Sequence, residues 1–271
     1  MVSDPAMPLG YRLRLAAQVV AVVEPVIRLA DVVAVASDTL GRVVRRRFPG
    51  ANLVRIDPAC PPLPSLDHHA GDAPLRLVLA DTRSHDGDAS RIAEPLAEFM
   101  RATPSARLVT FLGDRAPASL RLPNAEHRQP LPWPAFRAWR RSERFHVLLA
   151  PRADTAVNRA RSVTRLLDAA GFGAVGLYGH NDAIREAVAR GGLPAPTAPV
   201  LDWRSALEGL ARRRDRLGTL AERTADVAAG LGDVERQRAL WLSCLWPDRP
   251  SSLDKPATAH HNGDGPNVTE G

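Results

Sequence analysis

Residues 145–179 read FHVLLAPRADTAVNRARSVTRLLDAAGFGAVGLYG. Phe145 to Ala150 is an apolar run of the length and composition of a buried strand. A polar loop follows. RARSVTRLLDAAGF, residues 159–172, then spaces its apolar side chains as a helix does, and AVGLYG, residues 174–179, is a second strand-like run. Strand, helix and strand in this order make a βαβ unit, whose two strands lie parallel in one sheet.

The same rhythm extends in both directions. LRLVLAD (75–81), ARLVTFLGD (106–114) and FHVLLAP (145–151) read as strands. SRIAEPLAEFMRA (90–102), PAFRAWRRSE (134–143) and NDAIREAVARGG (181–192) read as helices between or after them. Alternation at these lengths predicts an α/β fold with a doubly wound, Rossmann-like parallel sheet carrying helices on both faces. Residues 202–231 and 233–246 continue as amphipathic helices.

Ahead of this region, Tyr11 to Leu29 reads as a helix that Pro25 kinks or ends. DVVAVAS (31–37) and NLVRIDPA (52–59) read as short strands, with a helix between them capped by Ser37 or Asp38. CPPLPSLDHHAGDAP (60–74) is Pro-rich and aperiodic, as a linker is. The expected organisation is therefore a unit over 1–59, a linker over 60–74, a Rossmann-like domain with C-terminal helices over 75–246, and a disordered tail over 247–271.

Composition narrows the function. The net charge is +6 over 271 residues, and Lys255 is the only lysine. Arginine suits bidentate phosphate binding, but the arginines are scattered. The clustered basic and aromatic residues of a nucleic-acid-binding protein are missing, so no nucleic-acid partner is expected. Cys60 and Cys244 lack metal-type spacing and suggest a reducing compartment. The start lacks the order of a signal peptide, and Leu15 to Val23 is too short to span a bilayer. A cytoplasmic location follows as the expectation, with room for peripheral contact at the inner membrane face.

In parallel sheets ligands sit in the loops after the strands. Three such loops stand out. The first holds Ser84, His85, Asp86, Gly87 and Asp88, where a turn and a helix N-terminus can receive a phosphate, or where Asp86 or Asp88 merely caps the helix. The second, with Gly113 and Asp114, is a turn candidate. The third is the opening stretch. On one continuous helix Asn158, Arg161, Ser162 and Arg165 fall at i, i+3, i+4 and i+7 and share a face. That face is either solvated or a site for an anion, with Asp168 as an acceptor for a hydroxylated group such as ribose. No Gly-rich dinucleotide fingerprint, Walker sequence, G-x-S-x-G or zinc spacing is present. Trp133, Phe136 and Trp139 read as core and turn packing.

The order ADVVAVASDTLGRVV, NLVRIDPA, LVLADTRSHDGDASRI, LVTFLGD and NRARSVTRLLDAAGFGAVGLYG resembles the GT-B glycosyltransferases, and within them the family-four type (group 1) of bacterial surface-polysaccharide synthesis. The resemblance covers roughly residues 30–230 and lies mainly in the donor-binding C-terminal half, with the N-terminal acceptor domain mostly missing. It implies a nucleotide-sugar donor, a glycan or lipid-linked acceptor, no metal and no cofactor beyond the donor substrate. A partner chain would supply the acceptor half. By the same resemblance Arg161 and His85 are the catalytic candidates, with Arg161 facing the diphosphate. Asp168 stands where the family's ribose-binding glutamate stands. Ser84, Asp86, Gly87, Asp88, Asn158, Ser162 and Arg165 complete the donor site. Ala160 stands where the family has its other glutamate. An inactive nucleotide-sugar-binding or scaffolding relative is the alternative.

Overall fold

The structure is a computed structural model, and its described residues are 9–80, 86–193 and 202–246, without the side chains of Arg12 and Asp86. The Val- and Leu-rich runs form strands β1 (Val33–Val35), β2 (Leu53–Arg55), β3 (Arg76–Leu79), β4 (Arg107–Thr110), β5 (Ala125–His127), β6 (Val147–Ala150) and β7 (Val175–Tyr178). β1 and β2 pair with each other, and the other five make one parallel sheet in the order β5-β4-β3-β6-β7. The chain order reverses direction between β3 and β6. That reversal is the topological switch point at which open parallel sheets bind ligands. In the central strands β3 and β6 every buried position is apolar, because both faces of the sheet are covered.

The helices are α1 (Leu9–Gln18), α2 (Glu24–Leu29), α3 (Asp38–Arg47), α4 (Asp86–Ala102), α5 (Trp133–Ser142), α6 (Ala156–Arg159), α7 (Thr164–Gly171), α8 (Asp182–Arg190), α9 (Trp203–Arg212), α10 (Leu217–Leu231) and α11 (Val234–Leu245). Side chains alternate along a strand. Leu77 and Leu79 of β3 therefore pack with Leu96 and Met100 of α4 and Leu207 of α9. Val78 packs on the other face with Leu166 of α7 and Ile184 of α8. The α/β doubly wound architecture expected from the sequence is the one observed. Among the described residues no helix is long and apolar enough to cross a membrane.

Helix α1 runs through a π-helical turn, Val19–Val23, into α2. Pro25 has no N–H for the usual bond to the carbonyl four residues back, and the wider turn before it absorbs that loss. Arg47 at the end of α3 pairs with Glu24 at 3.1 Å, tying α2 to the β1–α3–β2 unit.

Residues 60–74 cross the body of the domain and are bonded to it. The Cys60 N–H donates to the Gly232 carbonyl at 2.8 Å. A short 3-10 turn, Asp67–His69, brings His68 and His69 against His146, with ring centroids 4.1 to 5.2 Å apart. His68 Nε2 bonds the Phe145 carbonyl at 3.0 Å, and His69 Nε2 bonds the Gly173 carbonyl at 2.7 Å. The Arg76 N–H donates to His146 Nδ1 at 3.0 Å, so the other ring nitrogen carries the proton that meets the His68 carbonyl at 3.1 Å. Burial lowers the pKa of all three rings, that of His146 to about 4. The tail from 247 onward lies outside the described residues.

Candidate functional site

A cavity of about 820 Å³ opens at the carboxyl ends of β6 and β7. Its floor is Ala150, Tyr178 and Gly179, and its far wall is Ala36, Leu40 and Val43 of the β1–α3 unit. Phe111, Trp133 and Phe136 form an apolar side. The polar side is Arg161, Ser162, Arg165 and Asp168.

The polar side is not one helical face. The chain from Ala156 to Gly171 is two helices, α6 and α7, with a break at 160–163. Thr155 caps α6 by accepting from the Asn158 N–H at 3.1 Å. The Ser37 hydroxyl donates to the Ala160 carbonyl at 2.6 Å, removing that carbonyl from any onward helical bond. Val163 turns fully inward, and its carbonyl accepts from Leu166 and Leu167 to start α7. The i, i+3, i+4, i+7 spacing is thus corrected, because a helix break and not a helix face brings these side chains together.

Asn158 is buried and holds the elbow from inside. Its Nδ2 donates to the Ala153 carbonyl at 3.1 Å, and its Oδ1 accepts from Arg161 Nε at 3.0 Å. The Arg161 guanidinium is thereby oriented at the cavity wall. Ser162 exchanges a hydroxyl bond with Thr164 at 2.7 Å, and its carbonyl accepts from Asn181 Nδ2 at 3.1 Å. Asn181 in turn caps α8 by accepting from the Ile184 N–H at 2.9 Å. The elbow is therefore fixed from β1–α3 on one side and from α8 on the other.

Asp168 is only 4% exposed. Its Oδ1 accepts from Arg140 Nη1 at 2.8 Å and its Oδ2 from Arg165 Nη1 at 2.9 Å. Tyr178 lies nearby and is 2% exposed, with its hydroxyl buried and unpartnered among the described residues. Burial, reinforced by the Asp168 charge, pushes the phenol pKa up. The Tyr178 ring leans back over Gly176, where any Cβ would collide with it.

The first loop contributes differently. Ser84 and His85 lie outside the described residues, as does the side chain of Asp86. Gly87 is exposed in the first turn of α4 and does not line the cavity. Asp88 ties the first turn of α4 to the loop after β6. Its Oδ1 accepts from the Ala153 N–H at 2.9 Å, and its Oδ2 lies 3.4 Å from Arg152 Nη1. In the second loop Gly113 and Asp114 form a 3-10 turn bonded to Gln129, away from the cavity.

Sequence reasoning missed Arg140, Tyr178 and the β1–α3 wall. Arg140 stands 28 residues from its partner and sits in an Arg-rich run, so no local signal marks it. Trp139 packs against Phe111, Phe145 and Phe172 as core, whereas Trp133 is 60% exposed at the cavity edge and stacks on Phe136. Among the described residues no group of three or more His, Cys, Asp or Glu side chains is placed to hold a metal ion.

No protein-family model and no curated protein matches the sequence. Solved structures do. The pneumococcal O-GlcNAc transferase GtfA, in complex with UDP and GlcNAc, is 13% identical with a TM-score of 0.54, over 79% of this chain and 45% of that one. A UDP-forming α,α-trehalose-phosphate synthase from Burkholderia vietnamiensis is 12% identical with a TM-score of 0.53, over 88% of this chain and 67% of that one. The UDP-GlcNAc 2-epimerase from Neisseria meningitidis, bound to UDP-GlcNAc, is 14% identical with a TM-score of 0.43, over 76% and 49%. The chain spans about half the length of the first and third of these, 45% and 49%. At these identities the likeness concerns the fold, and the fold is the Rossmann-like α/β sheet of GT-B proteins.

Proposed function

We propose that this chain is the nucleotide-sugar-binding half of a GT-B glycosyltransferase. It transfers a sugar from a nucleotide-sugar donor to a glycan or lipid-linked acceptor in bacterial cell-surface polysaccharide synthesis. The observation that carries the reading is the elbow between α6 and α7. It holds Arg161, Ser162 and Arg165 on one wall of a cavity at the carboxyl ends of β6 and β7. Departure of the nucleoside diphosphate builds negative charge on its outer phosphate. A fixed guanidinium and the amino-terminal end of α7 stabilise that charge without reorganising. In this reading Arg161 serves the leaving diphosphate and Ser162 bonds a phosphate oxygen. Arg165 and Asp168 face the nucleotide, and no metal is needed because cationic side chains and backbone amides do its work. In the same reading Ser84, His85 and Asp86 contact the diphosphate or the sugar, next to Gly87 and Asp88 in the first turn of α4. The work is done in the cytoplasm at the inner membrane face.

A second reading, a nucleotide-sugar-binding relative without turnover, is favoured by Ala160. It lines the cavity with a methyl group where the resembling family has a carboxylate.

Calorimetry with UDP, GDP, ADP and their sugars tests both. The proposal expects binding of at least one nucleotide, weakened tenfold or more in folded Arg161→Ala. No binding across the panel refutes both readings. Binding with no donor hydrolysis or transfer to lipid-linked acceptors selects the second.

A further inference from the structure

Asp168 has a neighbour that the nucleotide reading does not use. Arg140, on α5, donates to Asp168 Oδ1 at 2.8 Å, while Arg165 takes Oδ2 at 2.9 Å. Arg165 and Asp168 line the cavity and Arg140 does not. The exposure of the three side chains rises outward, from 6% at Asp168 and 11% at Arg140 to 21% at Arg165. The cavity thus presents a guanidinium with a buried carboxylate behind it, and the carboxylate is anchored from the rear by a second guanidinium.

We infer that Asp168 positions Arg165 and does not hold the ribose, so that the site reads the anionic part of its nucleotide and is indifferent to the ribose 2′-hydroxyl. Arg140 is a positioning residue that acts through Asp168. This rests on the nucleotide reading proposed above.

A carboxylate that grips a sugar diol offers both oxygens to it. Here each oxygen already accepts a charge-assisted bond from a guanidinium, which a neutral hydroxyl does not displace. Aspartate is one methylene shorter than glutamate, and this one is almost wholly withdrawn from the surface. The ribose hydroxyls are offered only the lone pairs that the two guanidinium groups leave, on a side chain 6% exposed. A phosphate, in contrast, can meet Arg165 without disturbing the pair behind it.

The test compares each of UDP, GDP and ADP with its 2′-deoxy counterpart by calorimetry on the full chain. The inference expects the two dissociation constants to agree within twofold for whichever base binds. A 2′-deoxy nucleotide that binds tenfold or more weakly overturns it, because that is the worth of a hydrogen bond to a charged acceptor. Arg140→Ala is expected to weaken both forms equally, by threefold or more, with Arg140→Lys recovering part of the loss. Unchanged binding in Arg140→Ala overturns the positioning role. Arg165→Gln uncovers Oδ2, and a preference for the ribonucleotide is expected to appear where the parent shows none. A merely structural role for the trio would not create that preference. If Arg140→Ala does not fold, the comparison on the parent protein decides alone. If no nucleotide binds, the reading of the site itself fails, an outcome distinct from a bound nucleotide that is sensitive to its 2′-hydroxyl.

Discussion

The Ser37 hydroxyl donates to the Ala160 carbonyl at 2.6 Å across 123 residues of chain, and the same oxygen accepts from the Leu40 N–H at 3.1 Å. One buried side chain therefore caps α3 and stops α6. Ser37→Ala removes a helix cap, worth about 1 kcal/mol, and leaves a carbonyl without its donor, worth about 1 kcal/mol more. Urea unfolding should show a loss of about 2 kcal/mol, and nucleotide affinity should fall with it because Arg161 and Ser162 leave the same elbow. Unchanged unfolding would show that the contact carries no weight.

Asp168 neutralises two guanidinium groups and is itself only 4% exposed. Removing one member of such a set leaves uncompensated buried charge. Asp168→Ala should therefore cost about 3–5 kcal/mol. Asp154 is the control. Its pair with Arg159 is about half exposed on both sides, and Asp154→Ala should leave the unfolding midpoint where it is. Equal effects at the two positions would contradict the burial argument.

The sheet was legible because its causes are local. Val and Leu runs at Leu75–Leu79, Val147–Ala150 and Val175–Tyr178 alternate with helical spacings, and burial on both faces demands that pattern. The site was legible only as a neighbourhood. Asn158, Arg161, Ser162, Arg165 and Asp168 do gather, but the helix break that gathers them is written at Ser37, in another unit of the fold. Likewise His68 and His69 sit in an aperiodic Pro-rich segment, and nothing near them in sequence points to His146. Contacts of long sequence separation leave no period for a reader to find.

Those three histidines predict a pH dependence. Their rings touch, with Arg76, Arg144 and Arg214 close by, and burial holds each ring neutral in the folded state. An unfolded histidine takes up a proton near pH 6.5, roughly, whereas folded His146 does so only at about 4. Between those values the unfolded chain binds more protons, so stability falls with falling pH. The contribution is complete above the unfolded value and is lost on acidification toward the folded one, about 3 kcal/mol for His146 over the whole interval. Urea midpoints at neutral and mildly acidic pH should show the decline. His146→Gln should flatten it even though the variant is less stable throughout. A parent protein equally stable across this range would rule the account out.

The Tyr178 hydroxyl was desolvated on folding and has no partner among the described residues to repay it. Tyr178→Phe deletes that atom and leaves the ring packing on Gly176 intact. The variant should melt higher, by about 1 kcal/mol of stability. A lower melting temperature would mean that the hydroxyl has a partner in solution.

Gly179, the residue after β7, lies directly against the backbone of Arg152, and an added Cβ would overlap the Arg152 N, Cα and carbonyl oxygen. Main chain has no rotamer with which to escape, so Gly179→Ala must part the ends of β6 and β7. The Gly179 N–H bonds the Ala150 carbonyl at 3.0 Å, and the His180 N–H bonds the Arg152 carbonyl at 3.1 Å. Both bonds are strained by that movement. Ala150, Arg152 and Gly179 all line the cavity, so the damage reaches the site as well as the sheet. We expect a loss of about 3 kcal/mol, within the range for overpacking against a rigid neighbour, and nucleotide binding reduced beyond detection in the folded fraction. Gly87→Ala is the contrast, since a Cβ there meets nothing within 4 Å and alanine favours the helix. That substitution should raise the melting temperature slightly. Were Gly179→Ala as benign as Gly87→Ala, the close approach of β7 to Arg152 would not be what shapes the cavity floor.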